Sequence, residues 1–317
     1  MPNEDNYWFM LQFKLKLYQA GGEEFQRLFN GVMTAYHGVN YQSVRPWGKA
    51  GDCGNDGFLA KEGHYFQVYA PSPTSKINDV YAANKAKVDF QKLKENHANL
   101  KHYSFVLNDR FVGVPHPVTQ ALTEITQTHN IPALAFNSGH LEQLFLKLDN
   151  HQRMNVVLGV PLEAPAWIDP RKVAELLEYL SMSFDFTLNL MTGQDTAPEF
   201  EKKIQFNNLN SGIAQYLRIA ANQIGHVNVF FDVRPGLAQY IADELHTIYA
   251  NSLSAIPDTD KNATDLRFVY ILERILPPAA NSDPIHRSGW QQIALIVMAK
   301  YFETCDIYEH PDSAHSA

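Results

Sequence analysis

Between Tyr41 and Pro71 the chain gathers three short β-forming runs, and this crowding constrains the fold more than any other feature. Tyr41-Gln-Ser-Val-Arg45 reads as a strand, Pro46 to Gly54 as a loop and Asp56-Gly-Phe-Leu59 as a second strand. Lys61-Glu-Gly-His64 is then a turn into Tyr65-Phe-Gln-Val-Tyr69, a run of β-formers closed by Pro71.

A helix comes first. Phe25, Leu28, Phe29, Val32, Met33 and Tyr36 recur at the i, i+3, i+4 spacing of one buried helical face, and Gly38 ends it. After the strands, Asn78 to Asn96 fits a helix loosely, with Lys76, Lys85, Lys87, Lys92, Lys94 and Lys101 along or beside it. Tyr103 to Leu107 is a strand followed by an Asn108-Asp109 turn, Val118 to His129 a helix, Ile131 to Phe136 a strand and Gly139 to Leu148 a helix. The order α, βββ, α, β, α, β, α predicts an α/β sandwich with a mixed sheet over residues 1–150. Residues 151–170, with Pro161, Pro165 and Pro170, read as a linker. From 171 to 317 the pattern is mainly helical, with helices at Arg171 to Leu180, Ile213 to Ile224, Leu237 to Tyr249 and Gly289 to about Phe302.

Length and composition agree with this division: 317 residues suit two domains, and 45% hydrophobic with 19% charged residues is a globular balance rather than a disordered one. Two distant cysteines, Cys53 and Cys305, provide neither a disulfide framework nor a structural zinc site, so a reducing cytoplasm is the expected compartment. The apolar run Trp8 to Phe13 is followed by Lys14 and Lys16 without a small-residue cleavage site, which predicts neither a signal peptide nor a membrane span. Charge is uneven. Residues 1–150 hold 14 Lys and Arg against 14 Asp and Glu, whereas the remainder hold 12 against 20, so the whole net charge of −8 lies in the second half. A neutral first half can bind nucleic acid through a local basic face; an acidic second half suits a protein partner.

The residues that carry chemistry cluster around the hairpin. Phosphodiester hydrolysis by metal ions needs carboxylates held a few Å apart and a polar group to orient water. Adjacent strands supply such clusters because side chains on one face lie ~5 Å apart. Asp56 begins one strand, Gln67 sits on its expected partner, and Glu24 on the preceding helix is placed to complete the shell. The same segment, Gly51-Asp-Cys-Gly-Asn-Asp-Gly57, also has the composition of a plain turn or bulge, since its glycines allow positive φ. The lysine-rich helix is either a solvated face or a phosphate-contacting one. The histidines show no metal-ligand spacing, and neither a GxxxxGK[ST] nor a GxGxxG loop is present, so any ATP dependence must come from a partner. Cys305 reads as a packing residue. Trp290, Ile293, Ile296, Val297 and Tyr301 form a stripe on the last helix, suited to an internal core or to docking a partner or a second copy of the chain.

Helix, then Gly-Asp-x-Gly-Asn-Asp-Gly, then Gln67-Val-Tyr69 on the next strand resembles the PD-(D/E)XK nuclease superfamily, nearest its Mrr-like branch, where Gln commonly replaces the second acid. Phe66-Gln-Val-Tyr-Ala-Pro71, Val106-Leu-Asn-Asp-Arg-Phe-Val-Gly113 and Tyr301-Phe-Glu-Thr-Cys-Asp-Ile-Tyr-Glu-His-Pro311 make the likeness more specific. Together they resemble a component of the prokaryotic ABC three-component conflict systems, encoded with an ABC-type ATPase and a small third component. The resemblance implies a restriction-endonuclease-like fold followed by a helical assembly domain. It also implies a DNA endonuclease effector using Mg²⁺ or Mn²⁺, with Asp56, Gln67 and Glu24 as metal ligands. One position departs from the pattern: Tyr69 stands where the superfamily expects Lys, and tyrosine brings no positive charge near neutral pH. Either Lys85 or Lys87 on the following helix supplies that charge and contacts the scissile phosphate with Tyr69, or the site is a degenerate one that only binds or assembles.

Overall fold

In a computed structural model the chain is described for residues 4–44, 54–75, 77–165, 169–183, 200–304 and 306–312. Gly51, Asp52, Cys53, Lys76 and Cys305 lie outside these residues. Two compact units result, one of residues 16–158 and the other of residues 1–15 with 159–317. The division falls inside the first helix, α1 (Glu4–Gln19), so the start of the chain counts with the C-terminal unit.

In the first unit α2 (Gly22–His37) leads into β1 (Tyr41–Ser43), β2 (Gly57–Leu59) and β3 (His64–Tyr69). There follow α3 (Asp79–Asn96), β4 (His102–Leu107), α4 (His116–His129), β5 (Ala133–Asn137), α5 (Ser138–Phe145) and α6 (Asn150–Val157). The five strands form one sheet in sequence order. The first three pair antiparallel, with Gly57 opposite Phe66, and the last three run parallel, with Gln67 opposite Phe105. A short hairpin joins β2 to β3 in the antiparallel half, and the crossovers α3 and α4 produce the parallel half. The period of two along β3 sends Tyr65 and Tyr69 into the core beneath α3 and α4, where they meet Phe90, Phe105 and Leu122. Phe66 points the other way, onto Phe29 of α2, with ring centroids 5.6 Å apart. The sheet is therefore a mixed one between two helical layers, as its sequence pattern predicts.

Two stretches differ from the sequence pattern. The start of the proline-rich segment is helical: Asp149 caps α6 by accepting from the Gln152 amide at 2.8 Å while the Gln152 side chain accepts from the Asp149 amide at 3.0 Å. The apolar N-terminal run lies inside α1, where Trp8, Phe9, Leu11, Phe13, Leu15 and Leu17 are all buried.

The second unit is helical, with α7 (Pro170–Ser183), α8 (Phe200–Phe206), α9 (Ser211–Ala221), α10 (Gly225–Asp232), α11 (Pro235–Ala255), α12 (Ala263–Ile275) and α13 (Pro284–Glu303). Trp8 donates to the Val160 carbonyl at 2.9 Å, and the buried Lys14 pairs with Asp260 at 2.6 Å, which ties the start of α1 into this unit. The stripe Trp290, Ile293, Ile296, Val297 and Tyr301 is buried within it, so these residues form internal core and not a docking face. Lys203 of α8 is 1% exposed. Its ammonium donates to the carbonyls of Phe302 and Ile307 at 2.8 and 2.7 Å and lies 4.6 Å from the Phe302 ring centroid. Among the described residues no helix is long and apolar enough to cross a membrane.

Candidate functional site

The Gly54–Asp56 turn places the candidate carboxylate. Gly54 has φ +77°, and a Cβ there would come within 2.6 Å of the Asp89 carbonyl on α3, so glycine permits both the backbone angle and the close approach. Asn55 accepts from the Gly57 amide at 2.9 Å, an Asx turn that starts β2. The segment is thus a turn, and the turn serves to aim Asp56. The Asp56 amide donates to the Phe66 carbonyl at 2.9 Å and its carbonyl accepts from Val44 at 3.0 Å, which carries the ladder one residue beyond β2. Its carboxylate, in a residue only 5% exposed, accepts from the Val68 amide at 2.7 Å and from Gln26 Nε2 of α2 at 2.6 Å.

Gln67 lies across from Asp56 on β3 and is 4% exposed. Its amide nitrogen reaches only the Val68 carbonyl, at a weak 3.5 Å, and its Oε1 is buried without a donor. Lys85 comes to the same place from α3. Its ammonium donates to Asp89 at 2.7 Å. Burial pulls its pKa down, but the hydrogen bond and charge of Asp89, with the charge of Asp56 added, more than reverse this and hold it above the usual lysine value. The negative charge of Asp56 also helps to raise the phenol of Tyr41 and that of the fully buried Tyr103, in both after burial itself, and for Tyr103 after the charge of Asp89. Tyr69 is half-buried, its pKa raised by burial and by Tyr81 and opposed by Lys85.

Helical geometry sorts the remaining candidates. Residues two apart on an α-helix point about 200° apart. Gln26 faces Asp56, so Glu24 points away from it: exposed, it lines a cleft of about 850 Å³ with Lys16, Arg27, Gln152 and Asn155. Lys85 faces the sheet, so Lys87 points outward, where it pairs with Glu124 of α4. Asp56, Gln67, Tyr69 and Lys85 are therefore brought together, whereas Glu24 and Lys87 are not. Two residues join them that sequence reasoning missed. Asp89 carried a signal, since it lies one helical turn after Lys85; Gln26 carried none.

Among the described residues no three His, Cys, Asp or Glu side chains are grouped to hold a metal. A hard divalent cation does not require that many. Mg²⁺ commonly keeps several waters and takes one or two carboxylates together with phosphate oxygens of its substrate. Asp56 with the unsatisfied Gln67 Oε1 has that character, a partial oxygen shell for a substrate to complete.

No curated protein and no solved structure matches the chain. Residues 174–309, within the helical unit, match the model of C-terminal domain 10 of the ABC-three component (ABC-3C) systems.

Proposed function

We propose that the chain is the effector of an ABC-3C conflict system acting against phage in the cytoplasm, a metal-dependent DNA endonuclease with a restriction-endonuclease-like fold. Its helical unit would engage the ABC-type ATPase and the small third component. The observation that carries the proposal is the convergence of Asp56, Gln67 and Lys85 beside one strand pair, with a lysine from α3 supplying the charge that Tyr69 lacks. Asp56 and Gln67 Oε1 would hold Mg²⁺ or Mn²⁺, which when bound lowers the pKa of a water and offsets charge on the phosphate. Lys85 places a fixed positive charge for the scissile phosphate, and Tyr69 donates a hydrogen bond to a phosphate or water oxygen. Gln26 and Asp89 act through Asp56 and Lys85, fixing their positions.

The test is plasmid cleavage with Mg²⁺ or Mn²⁺, with and without the ABC ATPase, for wild type, Asp56→Asn, Lys85→Met and Lys87→Met. Nicking lost at positions 56 and 85 but kept at 87 supports the proposal; equal nicking in all four refutes it. A second reading is favoured by one observation: both Asp56 oxygens already accept hydrogen bonds from within the fold. In that reading the site is catalytically degenerate and serves to bind nucleic acid or assemble the complex. Absence of cleavage in every arm, with DNA still retarded in a gel shift, selects it.

A further inference from the structure

One flank of α3, beside the candidate site, carries an exposed stripe of which phosphodiester hydrolysis uses Lys85 alone. Tyr81, Lys85, Val88 and Lys92 follow one another at spacings of four, three and four residues, which keeps them on one stripe of the helix. The Tyr81 residue is 58% exposed although its ring is large and apolar, and Val88 is 54% exposed beside it. Tyr81 is not loose. Asn78 caps the helix by accepting from the Tyr81 amide at 3.0 Å. Its ring lies 5.9 Å from that of Tyr69, which in turn stacks at 6.0 Å and 20° on the buried Phe105. Three rings thus form a ladder from the core to the surface, ending in an aromatic side chain held ready for a further ring.

Charge narrows what that ring belongs to. Lys85 and Lys92 both donate to the single carboxylate of Asp89, at 2.7 and 3.4 Å, which leaves the stripe one positive charge in excess. The unit as a whole agrees: residues 16–158 hold 14 Lys and Arg against 12 Asp and Glu, whereas the rest of the chain holds 12 against 22. Alternating aromatic and cationic side chains suit a strand of phosphates whose bases stack on protein. In a duplex the faces of the bases are covered by their neighbours, so only an unpaired base can stack on Tyr81. We infer that the Tyr81–Lys92 stripe of α3 is a track for single-stranded nucleic acid, with an unpaired base stacked on Tyr81 and the adjoining phosphates on Lys85 and Lys92. Its use to feed a strand to Asp56 rests on the endonuclease proposal; the binding itself does not.

The experiment uses the full chain in EDTA, so that cleavage plays no part. Fluorescence anisotropy is measured with a labelled oligothymidine of about 20 nucleotides, longer than the ~4–16 nucleotides that such tracks cover, and with a duplex of the same length. The single strand is expected to bind at least about tenfold more tightly than the duplex. Tyr81→Ala and Tyr81→Leu each lose about tenfold, whereas Tyr81→Phe, which keeps the aromatic face, binds like wild type. A wild-type chain that binds the single strand in EDTA but never cleaves with Mg²⁺ or Mn²⁺ sinks the endonuclease proposal alone. Equal affinity for duplex and single strand, unchanged affinity in Tyr81→Ala, or no binding by a chain with wild-type circular dichroism each overturns the track. The same holds if Tyr81→Ala weakens association with the ABC ATPase and leaves DNA affinity untouched, since the stripe then faces protein.

Discussion

Replacing Asp56 by Ala tests whether this carboxylate is also a structural element of the sheet. The carboxylate continues the β2–β3 ladder past the point where backbone groups stop, by accepting from the Val68 amide at 2.7 Å and from Gln26 Nε2 at 2.6 Å. Alanine removes both acceptors. Gln26 is only half-buried and can turn toward water, but the Val68 amide is fixed in the strand and stays unpaired. A buried orphaned donor costs about 1–3 kcal/mol, and the loss of a charge-assisted bond to Gln26 adds to it, so about 2–3 kcal/mol is expected. Asparagine behaves differently: its oxygen still accepts from Val68, and its amide can face a flipped Gln26 side chain, limiting the loss to about 1 kcal/mol. Hydrogen exchange reads this directly, because amides in the core of a unit exchange through its cooperative opening. At about 1.4 kcal/mol per decade, protection of β3 and β4 falls roughly 30- to 150-fold in Asp56→Ala and about fivefold in Asp56→Asn. Amides of α13 lie in the other unit and serve as the control. Protection of β3 within threefold of wild type in Asp56→Ala, or an Asn variant as weak as Ala, would refute the reasoning.

Two further effects are expected. Lys203→Met leaves the Phe302 and Ile307 carbonyls without their buried donor and removes the cation beside the Phe302 ring; it should destabilise the helical unit by about 2–4 kcal/mol, read as a lower urea midpoint for that unit's transition. His64 is held down to a pKa of about 4 by burial and by the charge of His102, with Glu62 opposing and His37 adding slightly. Its folded value lies below the unfolded value of about 6.5, so the unfolded chain binds the extra proton. The urea midpoint of the α/β unit should therefore be level above about pH 6.5 and fall as pH drops toward 4. His64→Leu should flatten much of that slope, the remainder belonging to His37 and His97, both lowered chiefly by burial.

Most of the α/β architecture was legible because its elements are amphipathic or alternate cleanly. The face of α2 and the run of β3 each bury one side against a defined layer, and periodicity reports such elements well. Of the helices that escaped notice, α8 and α10 are only 7 and 8 residues long, too short for a clear period, whereas α1 and α12 lack a clear polar side. In α12, Leu266 to Leu272 is an unbroken buried run, and in the middle of α1 even Gln12 and Lys14 are buried, so neither shows a clear solvent face to set against a core face. The start of α6 did carry a signal, the Asp149-to-Gln152 capping box, but neighbouring prolines outweighed it. At the site, Asp56, Gln67 and Lys85 could be picked out because strand order and helix position limit their neighbours. Glu24 and Gln26, or Lys85 and Lys87, could not be told apart by spacing alone, since the choice depends on which way each helix is rotated about its axis.

The placement of residues 1–15 with the C-terminal unit makes the α/β unit a guest inserted into its host: the chain enters it after Leu15 and leaves before Gly159. A guest held at two points is not released by one cut. Proteolysis between Leu158 and Pro170 would leave the severed N-terminal fragment held through Lys14 on Asp260 and Tyr7 on Asp265, and the nicked protein would migrate as one particle until denatured. For the same reason, exchanging the α/β unit for another one means cutting within the first helix. A truncation that discards the N-terminal helix as part of the α/β unit would take core from the helical unit it was meant to preserve.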